Sequence, residues 1–151
     1  MQERLFTIWD FPLNTRVKLK EQKTFLDSCI QKCGSINNLS IKLNSSQQTI
    51  RSWRKYDLFI PLDAFEKLFT IMELEKKDIE NLILAYKGPN TSKPITNPIF
   101  PIKEGPELFA IMAHLIGDGC VNKNGIPMYV NTSQALRKNF KNLIQIFGMV
   151  E

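Results

Sequence analysis

The sequence predicts a mainly α chain: a helical domain over residues 1–88, a linker over 89–106, and a partial α/β part of αββα order over 107–151. Three observations carry this. Apolar residues recur at helical spacing through most of the first part and again near the end of the chain. Five of the eight prolines crowd between Gly88 and Pro106. Two short runs, Cys120–Asn122 and Met128–Val130, flank the turn-forming Lys123-Asn124-Gly125 and suit a hairpin. A length of 151 residues with 43% apolar content suits one medium domain or two small ones with a real core.

Arg4–Trp9 and Thr15–Lys20 are rich in β-formers, with Phe11-Pro12-Leu13-Asn14 as a turn between them, so a small hairpin or extended arm is expected. Glu21–Cys33 has a helical stripe of Phe25, Cys29 and either Ile30 or Cys33, ended by Gly34. Ser35 can cap a helix over Ile36–Leu43, with Ile36, Leu39 and Leu43 inward; Asn44, which tolerates the left-handed conformation, follows it. Ser46 can cap a third helix, Gln47–Lys55, whose inward residues are Ile50 and Trp53. Pro61 opens a fourth, Leu62–Met72, with Phe65, Leu68, Phe69 and Met72 as its stripe. Asp78–Tyr86 reads as a fifth, from Ile79, Leu82, Ile83 and Tyr86. The proline-dense stretch cannot be helical and reads as a stiff, extended connector. Beyond it, Glu107–Gly117 and Gln134–Phe147 read as helices, the second with Leu136, Phe140, Leu143, Ile144 and Phe147 inward.

Charge is unevenly distributed. Between Thr15 and Pro61 nine Lys/Arg face three acids, whereas Leu62–Asn90 holds four bases and six acids. A basic segment beside an acidic one suits a face offered to a polyanion, although a solvated surface with chance clustering has the same composition. Three cysteines, Cys29, Cys33 and Cys120, are too few and scattered for a disulfide framework, and a zinc site would need more ligands than these and His114 supply. No apolar run is long enough to span a bilayer and none follows the N-terminus as a signal peptide does, so no membrane partner and a cytoplasmic, nucleoid-associated location are expected.

Leu39–Lys55, continuing through Ile60-Pro61 and the apolar helix ending near Leu74, resembles the two-helix core of phage-repressor-type helix-turn-helix proteins. One departure is Asn44, at the turn position where glycine is most usual. Independently of the family, Ile50 and Trp53 mark a buried side, which leaves Gln47, Gln48, Thr49, Arg51 and Ser52 outward. Glutamine can pair with adenine, arginine with guanine, and threonine can touch a thymine methyl. Ser46, Arg54 and Lys55 are placed for phosphates. Double-stranded DNA is the expected partner. The competing reading of Gln-Gln-Thr is an ordinary polar helix face.

Ile111-Met-Ala-His-Leu-Ile-Gly-Asp-Gly119 is similar to the LAGLIDADG signature of homing endonucleases. Ala113 and Gly117, four apart, are small enough to let two helices approach at backbone contact. Asp118 stands at a helix C-terminus, where the macrodipole disfavours an anion unless a cation is near. The resemblance implies Asp118 as metal-binding catalytic acid, the Gly119 backbone as a supporting ligand, Mg²⁺ as cofactor, and a homodimer through the Ala113/Gly117 helix or through a missing C-terminal portion, since each helix contributes one carboxylate. It also implies a DNA-facing sheet that includes Lys123, Tyr129 and Asn131. His114, four before Asp118, reads as a packing residue more readily than as a ligand. The family's fold needs a further hairpin and helix, so the second part is expected to be a truncated or degenerate module, inactive by itself. Three functions follow: a metal-dependent DNA endonuclease addressed by the first domain, a non-catalytic helix-turn-helix regulator, or a protein-interaction module in a helix-turn-helix fold.

Overall fold

A computed structural model describes residues 4–91, 93–121, 123 and 127–150. The fold is mixed α/β. In chain order it runs β1 (Leu5–Phe6), β2 (Arg16–Leu19), α1 (Gln22–Cys33), α2 (Ile36–Leu43), α3 (Gln47–Tyr56), β3 (Ile60–Pro61), α4 (Leu62–Met72), α5 (Lys76–Ile79), β4 (Ile83–Lys87), β5 (Ile95–Thr96), β6 (Ile102–Lys103), α6 (Pro106–Asp118), β7 (Gly119–Val121), β8 (Pro127–Tyr129), α7 (Gln134–Leu143) and β9 (Met149–Val150). Two compact units result, Phe11–Pro89 and a second made of Met1–Asp10 with Asn90–Glu151.

In the first unit, α1, α2, α3 and α4 pack around a core that includes Leu26, Leu39, Ile50, Phe65 and Leu68, all fully buried. Phe25 and Phe65 meet edge to face at 6.4 Å between centroids, an arrangement worth about 0.5–1.5 kcal/mol beyond the area it buries. The helix boundaries follow from local chemistry. Gly34 (φ 81°) ends α1, and its N–H bonds the Gln31 carbonyl. Ser35 caps α2 by accepting from the Asn38 N–H, and Asn44 (φ 53°) ends it in the left-handed conformation. Ser46 caps α3 by accepting from the Thr49 N–H. Each serine cap contributes about 1 kcal/mol.

Three differences from the sequence reading concern strands. β2 makes no hairpin with β1. It is the central strand of β3-β2-β4, with Val17 opposite Ile60 on one side and Tyr86 on the other. The second half of the expected fifth helix is β4: α5 stops at Ile79, a 3₁₀ turn covers Glu80–Leu82, and the chain extends from Ile83. Its apolar residues satisfied a helical period, but pairing with β2 buries Ile83, Ala85 and Tyr86 along an extended ladder. Tertiary pairing overrode local preference.

The proline-rich stretch is extended as expected, yet it is not a free connector. β5 pairs antiparallel with β9, and β6 pairs with β1. Proline forbids helix but leaves such short edge pairings open. Gly148 (φ 130°) lies against β5, where a Cβ would come within 2.8 Å of Ile95 Cγ2 and 2.9 Å of the Thr96 carbonyl oxygen. Through the β1–β6 pairing, residues 4–10 belong with the C-terminal part. In this second unit α6 packs on the β7–β8 hairpin and on α7, which ends at Leu143, and a 3₁₀ turn covers Ile144–Phe147. The expected hairpin residues Asn122, Asn124 and Gly125 lie outside the described residues.

Gln22 is the polar residue on which the first unit turns. It is 2% exposed at the β2–α1 junction. Its Oε1 accepts from the Leu19 N–H at 3.1 Å, and its Nε2 donates to the Trp53 carbonyl at 3.0 Å and the Leu58 carbonyl at 2.9 Å. A buried group left without its partner costs about 1–3 kcal/mol. Gln22→Met, near in volume and without the amide, is therefore expected to lower unfolding free energy by about 2–3 kcal/mol in urea titration. A loss under about 0.5 kcal/mol would mean that water replaces the clamp at no cost.

Candidate nucleic-acid interface and helix-end carboxylate

The outward side of α3 is a polar and basic surface set on an apolar anchor. Ile50 is 0% and Trp53 5% exposed. Gln48, Arg51, Arg54 and Lys55 are exposed, while Gln47, Thr49 and Ser52 are half-buried. The eight residues expected to act together thus do lie on one helix and its cap, but they are not equivalent.

Several are already engaged within the protein. Gln47 Nε2 donates to Asn37 Oδ1 at 3.0 Å, and Gln47 Oε1 accepts from Arg51 Nη2 at 3.3 Å. Gln47 therefore works as a bracket for Arg51. Ser46 Oγ accepts the Thr49 N–H at 3.0 Å and lies 2.8 Å from the Thr49 hydroxyl, so both hydroxyls serve the cap. Arg54 is ion-paired with Asp27 of α1, and this contact holds its guanidinium pKa above the ordinary value. The Lys55 ammonium lies 5.1 Å from the centre of the Tyr56 ring. Sequence periodicity could place these side chains outward, but it carried no sign of the Asn37, Gln47 and Arg51 chain, whose members come from two helices.

Between α1, α2 and α3 runs a groove of about 750 Å³, lined by Lys23, Asp27, Ile30, Ile36, Arg51, Arg54 and Lys55. Four cations and one anion line it. Lys23 had no assigned role from the sequence, because a lone lysine on α1 gives no clue that α3 lies beside it.

Burial, with Cys33 adding to it, pushes the Cys29 thiol up to about 12, so Cys29 is a neutral core side chain. Among the described residues no group of three His, Cys, Asp or Glu is gathered as a metal would require, and no helix is long and apolar enough to cross a membrane.

In the second unit, Asp118 is the last residue of α6, exposed, and its Oδ2 accepts from Asn131 Nδ2 at 2.8 Å. Asn131 Oδ1 in turn accepts the Ser133 N–H at 2.8 Å, at the start of α7. Asn131, which the resemblance placed on a DNA-facing sheet, lies just beyond β8 and holds this carboxylate by a hydrogen bond. Among the described residues no second carboxylate is gathered with Asp118, so one chain by itself does not fit a divalent ion. His114 is a packing residue: its Nδ1 is 3.2 Å from the Tyr129 hydroxyl, its Nε2 3.4 Å from Asn139 Nδ2, and its ring meets Tyr129 and Phe140 edge to face.

The glycines around Asp118 differ in kind. A Cβ on Gly119 would lie 2.8 Å from the Leu115 carbonyl carbon and closer still to its oxygen. A Cβ on Gly117 would meet nothing within 4 Å, and Ala113 beside it is exposed. Gly119→Ala is therefore expected to lower the melting temperature sharply by forcing α6 and β7 apart. Gly117→Ala should leave an isolated chain as stable or more stable by up to about 1 kcal/mol, the helix-propensity difference. Equal effects in thermal melts would refute this assignment.

No protein family, curated protein or solved structure yields a significant match to this chain.

Proposed function

We propose that this chain binds double-stranded DNA sequence-specifically, with α2, the Asn44–Ser46 turn and α3 acting as a helix-turn-helix and α3 as the helix that enters the major groove. The observation that carries this reading is the division of α3: Ile50 and Trp53 buried on one side, Gln48, Arg51 and Lys55 exposed on the other. A groove-reading helix needs such a division, since it must be anchored by one face and offer donors and acceptors from the other. Gln48 and Arg51 have the side-chain geometries for adenine and guanine edges. Lys55, next to Arg54 at the end of the helix, suits the phosphate backbone.

Arg51→Ala should weaken binding to a selected cognate duplex by about 1–3 kcal/mol while changing random-sequence binding little. Lys55→Ala should weaken both equally and reduce the salt slope by about one. These are read by fluorescence anisotropy over a salt series on cognate and random duplexes. Uniform loss for Arg51→Ala would reduce it to a phosphate contact, and no wild-type binding at low salt would reject the DNA reading.

A second reading extends the first: a metal-dependent DNA endonuclease of LAGLIDADG type, working as a homodimer. Two observations favour it. Gly119 is sterically required behind Asp118, and the exposed side of α6 is apolar, with Phe109, Met112, Ala113, Ile116 and Gly117 uncovered. Ile116 is 81% exposed. A second copy on this face would cover these side chains and bring two Asp118 carboxylates together. Ile116→Asp should convert a dimer to monomers in sedimentation velocity without unfolding the chain. Mg²⁺-dependent plasmid cleavage, if present, should vanish in both Ile116→Asp and Asp118→Asn. A monomeric wild type without cleavage would leave the chain as a non-catalytic DNA-binding protein.

A further inference from the structure

We propose that Asp27 is a built-in competitor for DNA phosphate, holding the Arg54 guanidinium that would otherwise bind the backbone in the groove between α1 and α3. This rests on the DNA-binding reading and adds to it a device that restrains binding to any duplex. The groove brings together Lys23 and Asp27 of α1 with Arg51, Arg54 and Lys55 of α3. Its cations suit a phosphodiester, and its one carboxylate, Asp27, is paired with Arg54.

A guanidinium fork donates the same N–H groups to a carboxylate or to a phosphate oxygen. Arg54 uses its Nε–H on Asp27 Oδ1, so a phosphate must either displace Asp27 or approach it. Both raise the energy of a phosphate in the groove, the first by breaking a contact and the second by like-charge repulsion. Stability does not account for the pair. The side chains are 43% and 41% exposed, and ion pairs in such settings are worth little to folding. The penalty falls on every duplex alike, because phosphate carries no sequence information. Cognate and random duplexes lose the same phosphate affinity, so the pair lowers how tightly any duplex is held and leaves discrimination to base contacts such as those of Gln48.

The test is Asp27→Asn in the full chain, titrated onto a random-sequence duplex over a salt series and eluted from heparin. Expected are a two- to fivefold gain in random-duplex affinity, about the worth of one exposed ion pair, a salt slope steeper by about one, and later heparin elution. Asp27→Glu, which keeps the charge, should behave as wild type. In an Arg54→Ala background the gain from Asp27→Asn should fall by half or more, which separates release of Arg54 from a mere change in net charge. Unchanged or weaker polyanion binding by a folded Asp27→Asn overturns the proposal. So does unfolding of both Asp27→Asn and Asp27→Ser, which would make the pair structural. If neither wild type nor variant binds duplex yet Asp27→Asn elutes later from heparin, the DNA reading falls, and with it a role for Asp27 against DNA phosphate, while Asp27 remains a competitor for other polyanions. Equal elution sinks the competitor role itself.

Discussion

The buried amide of Gln22 determines where α3 sits, and most of what the first unit offers to solvent depends on it. The chain leaves α3 through Asp57, which adopts a left-handed conformation at φ 54°. A helix ending in that way has orphan carbonyls and an exit that could swing. Gln22 takes the Trp53 carbonyl from the last turn and the Leu58 carbonyl from the segment beyond, while its oxygen is fixed by the Leu19 N–H of β2. One side chain thus locks the exit of α3 to the entry of α1. The Lys18–Asp57 ion pair, at 2.6 Å, repeats the link from the surface. With side chains 27% and 53% exposed it adds little energy, so the amide is the stronger of the two ties.

Once that exit is fixed, the apolar anchor becomes effective. Ile50 and Trp53 fill space between α3 and its neighbours, and truncating a buried residue of this kind costs about 2–5 kcal/mol. Hydrophobic burial alone fixes the depth of a helix poorly, because it has no direction. Hydrogen bonds from Gln22 to the Trp53 carbonyl and from Gln47 to Asn37 of α2 supply direction at the two ends of α3. The helix is therefore held at both ends and along one side, and its outward face is presented as a rigid surface.

The helices around α3 were legible in the sequence because their determinants are local. Ser35, Asn44, Ser46 and the Ile50/Trp53 spacing act within a few residues, and the boundaries they imply match those observed. Elements made by distant partners were not legible. Ile83–Lys87 has an apolar pattern compatible with either helix or strand, and only β2, more than sixty residues earlier in the chain, decides between them. The pairing of β1 with β6 likewise joins segments almost a hundred residues apart, so the first residues could not be assigned to the second unit from their own composition. The candidate site divides in the same way. Period alone separated Gln48 and Arg51 from the buried Ile50 and Trp53, but gave no sign that Gln47, Thr49 and Ser52 are half-buried. That Gln47 is committed to Asn37 and Arg51, that Arg54 is committed to Asp27, and that Asn131 holds Asp118 all require knowing which elements meet.

These commitments bear on how the outward face would recognise a ligand. Arginine side chains lose about 2 kcal/mol of rotamer entropy when fixed, a cost that recognition must overcome. Gln47 already restricts Arg51 through one hydrogen bond, while Asn37 restricts Gln47. A guanidinium has five donors, so one internal contact leaves the others for an acceptor pair such as a guanine edge. Arg51 can be partly ordered in advance without losing its capacity to bind. Arg54 is restricted by a full negative charge, which would have to be displaced or shared. The two arginines thus stand in opposite relations to an incoming acceptor: the neutral Gln47 prepares Arg51, and the anionic Asp27 withholds Arg54. A face built in this way favours contacts that discriminate between ligands over contacts that any polyanion could make.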